Sequence, residues 1–147
     1  TLGEDLAVAD ISAMRSPDIP SDTNIRIRKM IVSAPFENQS DLKKAVDFGL
    51  VSNLRDNHGN VTSEVSRIDI GPMKILTAPG ELFPKIWWKV RGTGKNVMMF
   101  GLVNGEFGYI MLPDDYNSGK HKYHASVSVG PTFGVKVLEA LQELMKD

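Results

Sequence analysis

The chain has no cysteine among its 147 residues, which excludes disulfides, thiolate-bound zinc and cysteine nucleophiles. The compartment stays open, because secreted proteins also lack cysteine. No apolar run approaches the roughly 20 residues of a membrane-spanning helix, so no transmembrane segment is expected. Charge of either sign is not in excess. A formal net charge of −1 lacks the dense positive field that releases counterions, so nucleic acid is not an expected partner. Histidines are scarce, with only His58, His121 and His124. Repeats and low-complexity tracts are absent. Position 1 is Thr rather than Met, so the expectation is a processed or truncated chain, or one piece of a longer polypeptide. A signal peptide would then have been lost upstream, and its absence is uninformative.

What is there reads as one domain. A composition of 41% hydrophobic and 24% charged residues is ordinary for a globular chain of this length, which is large enough to bury a core. Residues 1 to 23 read as a loosely structured arm, with dense turn chemistry at Ser16-Pro17-Asp18-Ile19-Pro20-Ser21-Asp22. Ile25-Arg26-Ile27-Arg28 opens an alternating, half-buried strand. Ser40 followed by Asp41-Leu42-Lys43-Lys44-Ala45-Val46 predicts an N-cap and a short helix. A hairpin is expected from Leu50–Arg55 and Val61–Ile70 across the turn Asp56-Asn57-His58-Gly59-Asn60. Pro84 suits the first turn of a helix carrying Ile86, Trp87, Trp88 and Val90 and ending near Gly92. Of the adjacent tryptophans, one is expected to pack inward and the other to meet a partner. Val97–Val103 and Phe107–Leu112 read as further strands. The last helix presents Val135, Val137, Leu138, Leu141, Leu144 and Met145 on one face. Strands in the middle with helices after the later ones predict an α/β fold, a mixed sheet with flanking helices.

Two segments carry potential oxygen ligands at strand ends, where a sheet fixes the backbone and leaves the tip reachable. Glu81 follows the apolar run Met73–Ala78 and Pro79-Gly80. Tyr109 follows Asn96–Phe100 and the stretch Gly101-Leu102-Val103-Asn104-Gly105-Glu106-Phe107-Gly108. Structural readings of both stay open. Glu81 suits the acidic first turn of the following helix, and Tyr109 suits a core tyrosine with its hydroxyl at the surface. Val103-Asn104-Gly105-Glu106 also suits a type I′ hairpin turn. His58 reads as part of a solvated turn. His121 and His124 would share a face on a helix but oppose one another on a strand. Asn117-Ser118-Gly119 before them favours a loop over a second local metal site.

The order of these motifs resembles the neutral/alkaline ceramidase family of zinc amidases. Ala78-Pro79-Gly80-Glu81-Leu82-Phe83 is similar to the family's Pro-Gly-Glu-Phe turn, and Gly101-Leu102-Val103-Asn104 to its Gly-Leu-x-Asn strand. Tyr109-Ile110, Asp114-Asp115-Tyr116, Tyr123 and Ala125-Ser126-Val127-Ser128-Val129-Gly130-Pro131 follow in the family's order. The resemblance implies that residues 24 to 147 are the C-terminal portion of a larger ceramidase-like catalytic domain. It implies Glu81 and Tyr109 as zinc ligands, with Tyr123 beside an amide substrate of the N-acyl sphingoid type. The family's two histidine ligands lie in an earlier half. The implied partner is therefore that half, in the same polypeptide or a separate chain. The Gly-Arg-Arg run of the animal members is missing after Glu81, which leaves the identity of the amide or lipid-like substrate open. Two other readings compete: a binding or assembly module that keeps the fold without zinc chemistry, and a hydrolase using the amine and hydroxyl of Thr1.

Overall fold

The computed structural model describes residues 1–15, 17, 21–37, 41–51, 59–92, 94 and 96–146. The elements in order are α1 (Leu2–Arg15), β1 (Ile25–Pro35), α2 (Asp41–Asp47), β2 (Asn60–Ile70), β3 (Met73–Thr77) and β4 (Glu81–Leu82). They continue as α3 (Pro84–Arg91), β5 (Val97–Phe100), β6 (Tyr109–Ile110), α4 (Pro113–Tyr116), α5 (Lys122–Ser126) and α6 (Pro131–Met145). The architecture is α/β, with a mixed four-stranded sheet in the order β1-β2-β3-β5 and flanking helices. The first three strands are antiparallel and β5 joins β3 in parallel, after a crossover through α3. A second, two-stranded sheet pairs β4 with β6. Among the described residues, no helix is long and apolar enough to cross a membrane.

The two long strands give the sheet its frame. β1 and β2 pair along their whole length, from Ile25↔Ile70 to Pro35↔Asn60. β3 pairs the opposite edge of β2 from Ser66↔Thr77 to Ile70↔Met73, and the first arm of the hairpin expected from Leu50–Arg55 falls mostly outside the described residues. Residues 52–58, including the turn with His58, lie outside the described residues, as does the expected N-cap Ser40. Within the expected loose arm, Leu2–Arg15 is helical, and none of its residues is buried. Glu4 donates its backbone N–H to the Thr1 hydroxyl and pairs its carboxylate with the Thr1 ammonium, 2.6 Å away. Thr1 therefore serves as the cap of an exposed helix.

One face of the sheet carries the core. Val32, Val61, Val65 and Leu76 meet Phe133, Val137, Leu141 and Leu144 of α6. Each such buried side chain contributes about 1.5–3 kcal/mol. The apolar stripe of α6 is therefore the one its spacing predicts, with Phe133 and Ala140 added to it. Pro131 starts this helix and Pro84 starts α3, each at a first-turn position where the missing N–H is harmless. The C-terminus of α6 is held by two arginines. Arg28 donates to the Leu144 and Lys146 carbonyls, both at 2.7 Å, and Arg67 donates to Leu144 at 2.9 Å. Cations suit that end of a helix dipole. At the other end, the Glu37 carboxylate accepts from the Thr132 backbone N–H at 2.9 Å and its hydroxyl at 2.7 Å.

Gly134 sets the height at which α6 sits. A Cβ there would run into the Met111 carbonyl, so the helix rests directly on the chain leaving β6. Phe133 then reaches Phe107 with ring centroids 5.2 Å apart. The large helix is thus the floor beneath the small sheet.

Candidate functional site

The two-residue strands β4 and β6 bring Glu81 and Tyr109 together. They run parallel with Glu81 opposite Tyr109 and Leu82 opposite Ile110. The Glu81 N–H donates to the Gly108 carbonyl at 2.9 Å, and the Phe83 N–H to the Ile110 carbonyl at 3.0 Å. Further bonds lock the flanks: the Phe107 N–H donates to Pro79 at 2.8 Å, and the Val103 N–H to Ala78 at 3.0 Å. Ile110 is buried. Alternation therefore turns the neighbouring Tyr109 the opposite way, toward the cleft.

Gly108 makes this register possible. Its φ is +64°, a left-handed value that other residues resist. A Cβ would also collide with the Val127 carbonyl. The same approach lets Val127 accept a bond from the Tyr109 N–H at 3.3 Å, which carries α5 and Tyr123 to the site.

A cleft of about 480 Å³ results, lined by Glu81, Glu106, Tyr109 and Tyr123 on its polar side and by Leu42 and Val51 among its apolar residues. All three residues singled out in the sequence line this one space. Partial burial pushes the Tyr109 hydroxyl above the ordinary phenol range, and the Glu81 carboxylate and then Tyr123 add to the effect. Proton chemistry explains the sign, because a phenolate beside a carboxylate is a second negative charge. Tyr109 is accordingly a neutral donor next to an acceptor.

Behind Tyr109 lies a ring cluster that no sequence motif marks. His124 lies 4.5 Å from the Tyr109 ring, and Phe83 stands 5.0 Å from His121 and 5.4 Å from His124. Asn117-Ser118-Gly119 favours a loop around His121 and His124. Instead Lys122–Ser126 is a helical turn that places both histidines on Phe83, their own rings 5.6 Å apart. The spacing of three residues was the available signal. His124 Nδ1 is buried with no hydrogen-bond partner among the described residues. The type I′ hairpin alternative is also corrected. β5 and β6 belong to different sheets, and the loop between them turns through positive φ at Leu102 and Asn104. Of the tryptophans, Trp87 packs against the core and Trp88 is exposed.

The donor set sets a limit on metal chemistry. Glu81 and Tyr109 supply two oxygens, whereas zinc takes at least three protein ligands in catalytic sites. Among the described residues, no group of three or more His, Cys, Asp or Glu is placed to hold a metal ion. The described residues of this chain therefore do not close a zinc site by themselves.

No family model matches the sequence, and no curated protein matches it. Among solved structures, the crystal structure of neutral ceramidase from Pseudomonas aeruginosa is similar, with a TM-score of 0.47 at 11% identity. The match covers 81% of this chain and 28% of that chain. That likeness concerns the fold.

Proposed function

We propose that this chain is the C-terminal portion of a ceramidase-like amide hydrolase, inactive until joined by the half that precedes it. The observation that carries the reading is the parallel pairing of β4 with β6, which sets Glu81 and Tyr109 side by side at one cleft with Tyr123. Two oxygen donors of different acidity, held by backbone bonds rather than by long flexible loops, are half of a metal-ligand set. Zinc, shared with histidines from the preceding half, is part of this proposal. When bound, such a metal polarises an amide carbonyl and acidifies water. This chain's own contribution is positional. Glu81 and Tyr109 fix two ligand oxygens, Tyr123 forms the exposed wall, and Leu42, Leu50 and Val51 line the apolar side of the cleft. An apolar wall facing polar groups suits an N-acyl substrate, whose chain needs cover and whose amide needs polarisation.

The test is metal content of the complete polypeptide by elemental analysis, before and after a paired substitution. About one zinc per chain is expected, and Glu81→Ala with Tyr109→Phe strips it. Tight zinc retained by the folded double variant sinks the ligand assignment. A complete polypeptide that folds without zinc and cleaves no N-acyl amide returns the chain to the class of assembly modules.

A further inference from the structure

The four-stranded sheet has a second face, and among the described residues no helix covers it. Register places Ile25, Ile70 and Met73 in one row across that face, and Ile27, Ile68, Ile75 and Met98 in the next. Ile31 extends it at one end and Phe100 at the edge strand β5. The seven of these that are exposed large hydrophobics are between 40% and 68% exposed. Together they form an apolar patch on the order of several hundred Å², the size class that marks an interaction surface. Charge is nearly absent from the face. Its two ionic side chains, Lys29 and Glu64, neutralise one another at 3.2 Å, and that contact is the first cause of the lowered Glu64 pKa. A mixed sheet with helices on one face and isoleucines on the other is a layer short.

The face leads into the candidate site. Met98 and Met99 share a groove of about 620 Å³ with Trp87, Trp88, Gly101 and Glu81. A layer seated on the isoleucine rows and following this groove past the exposed Trp88 arrives at the Glu81 carboxylate, where the donor set is incomplete. Area, neutrality and continuity with the cleft point to the same occupant. We infer that the open face of the sheet, with the Trp88 groove, is the docking surface for the preceding half of the hydrolase, which meets it with an apolar layer. This rests on the functional reading above, and it names the surface through which the missing ligands are brought in.

Methionine oxidation reads the occupant directly, because Met73 and Met98 lie on the face while Met111 is fully buried. The chain alone and the complete polypeptide are pulsed with dilute hydrogen peroxide, and each methionine is followed by peptide mass spectrometry. In the chain alone, Met73 and Met98 are expected to oxidise at least tenfold faster than Met111. In the complete polypeptide both slow at least tenfold, and Ile27→Lys, a change at an exposed position, restores their reactivity. Reactive Met73 and Met98 in the folded complete polypeptide overturn the inference. Protection that appears in the chain alone and grows with its concentration overturns it in favour of a second copy. Zinc content separates the two proposals. Protected methionines without zinc keep the docking surface and remove the hydrolase, whereas zinc with reactive methionines does the reverse.

Discussion

Replacing Arg67 by methionine is the sharpest test of how α6 is held over the sheet. Arg67 is 4% exposed, and its Nε–H donates to Asp69 at 2.6 Å while Nη1–H donates to the Leu144 carbonyl at 2.9 Å. Methionine keeps the stem volume and removes the charge. The Asp69 side chain, itself only 15% exposed, is then left without this partner. A hydrogen bond between charged groups is worth about 1.5–3 kcal/mol. The Leu144 carbonyl loses less, because Arg28 still donates to it at 2.7 Å. The expected cost is about 3–4 kcal/mol, within the range for breaking a buried pair from one side. Removing Asp69 as well changes the outcome. With both charges gone, Arg67→Met with Asp69→Ala is expected to recover all but ~1–2 kcal/mol, since apolar replacement of a whole buried pair is often near neutral. Urea unfolding followed by fluorescence of Trp87 and Trp88 measures both, and an unchanged slope shows that the same surface is exposed. A single variant costing less than ~1 kcal/mol would refute the reasoning. So would a double variant as unstable as the single one, which would assign the loss to packing rather than to a stranded carboxylate.

Tyrosine titration at 295 nm checks the electrostatics of the site. Tyr109 and Tyr116 are both raised, Tyr109 by burial and then Glu81, Tyr116 by burial and then Glu37. Glu81→Gln is therefore expected to lower the Tyr109 midpoint alone, and Glu37→Gln the Tyr116 midpoint alone; identical effects of the two variants would contradict this. Because the folded Tyr109 binds its proton more tightly than the unfolded chain, its stabilisation is complete below the ordinary phenol value near 10 and lost as pH rises through the folded value. Gly134→Ala is expected to lower the melting temperature by about 5 °C or more, as α6 must lift from the Met111 carbonyl. Gly3→Ala in the exposed helix α1, with open space around it, is the control and changes it by at most about 2 °C; equal effects would remove the packing argument.

The candidate site was legible because its chemistry sits in short motifs whose order survives without any periodic signal. Glu81, Tyr109 and Tyr123 line one cleft, although the strands holding the first two are only two residues long. Hydrophobic spacing cannot detect strands of that length. Gly108 and the backbone bonds around it fix them instead. The same brevity hid α5, whose five residues contain barely more than one helical turn. Long elements behaved differently. Pro84 marked the start of α3 and apolar spacing marked α6, and their apolar positions lie on the core apart from the exposed Trp88.

Strand alternation separates two faces of a sheet but does not say which is covered. In Ile25-Arg26-Ile27-Arg28 the default reading buries isoleucine and exposes arginine. Here the arginine face is the one beneath a helix. Arg28 spends its guanidinium on the carbonyls that end α6, bonds that need the charge turned inward toward the helix terminus. Once those bonds fix the pleat, Ile25 and Ile27 must point to the other side, and so must Ile68, Ile70 and Ile75 through the register. An isoleucine face is a costly surface to leave in water, at about 25 cal/mol for each Å² of apolar area. Its exposure is therefore a consequence of where the arginines are needed, and its composition is that of an inner layer.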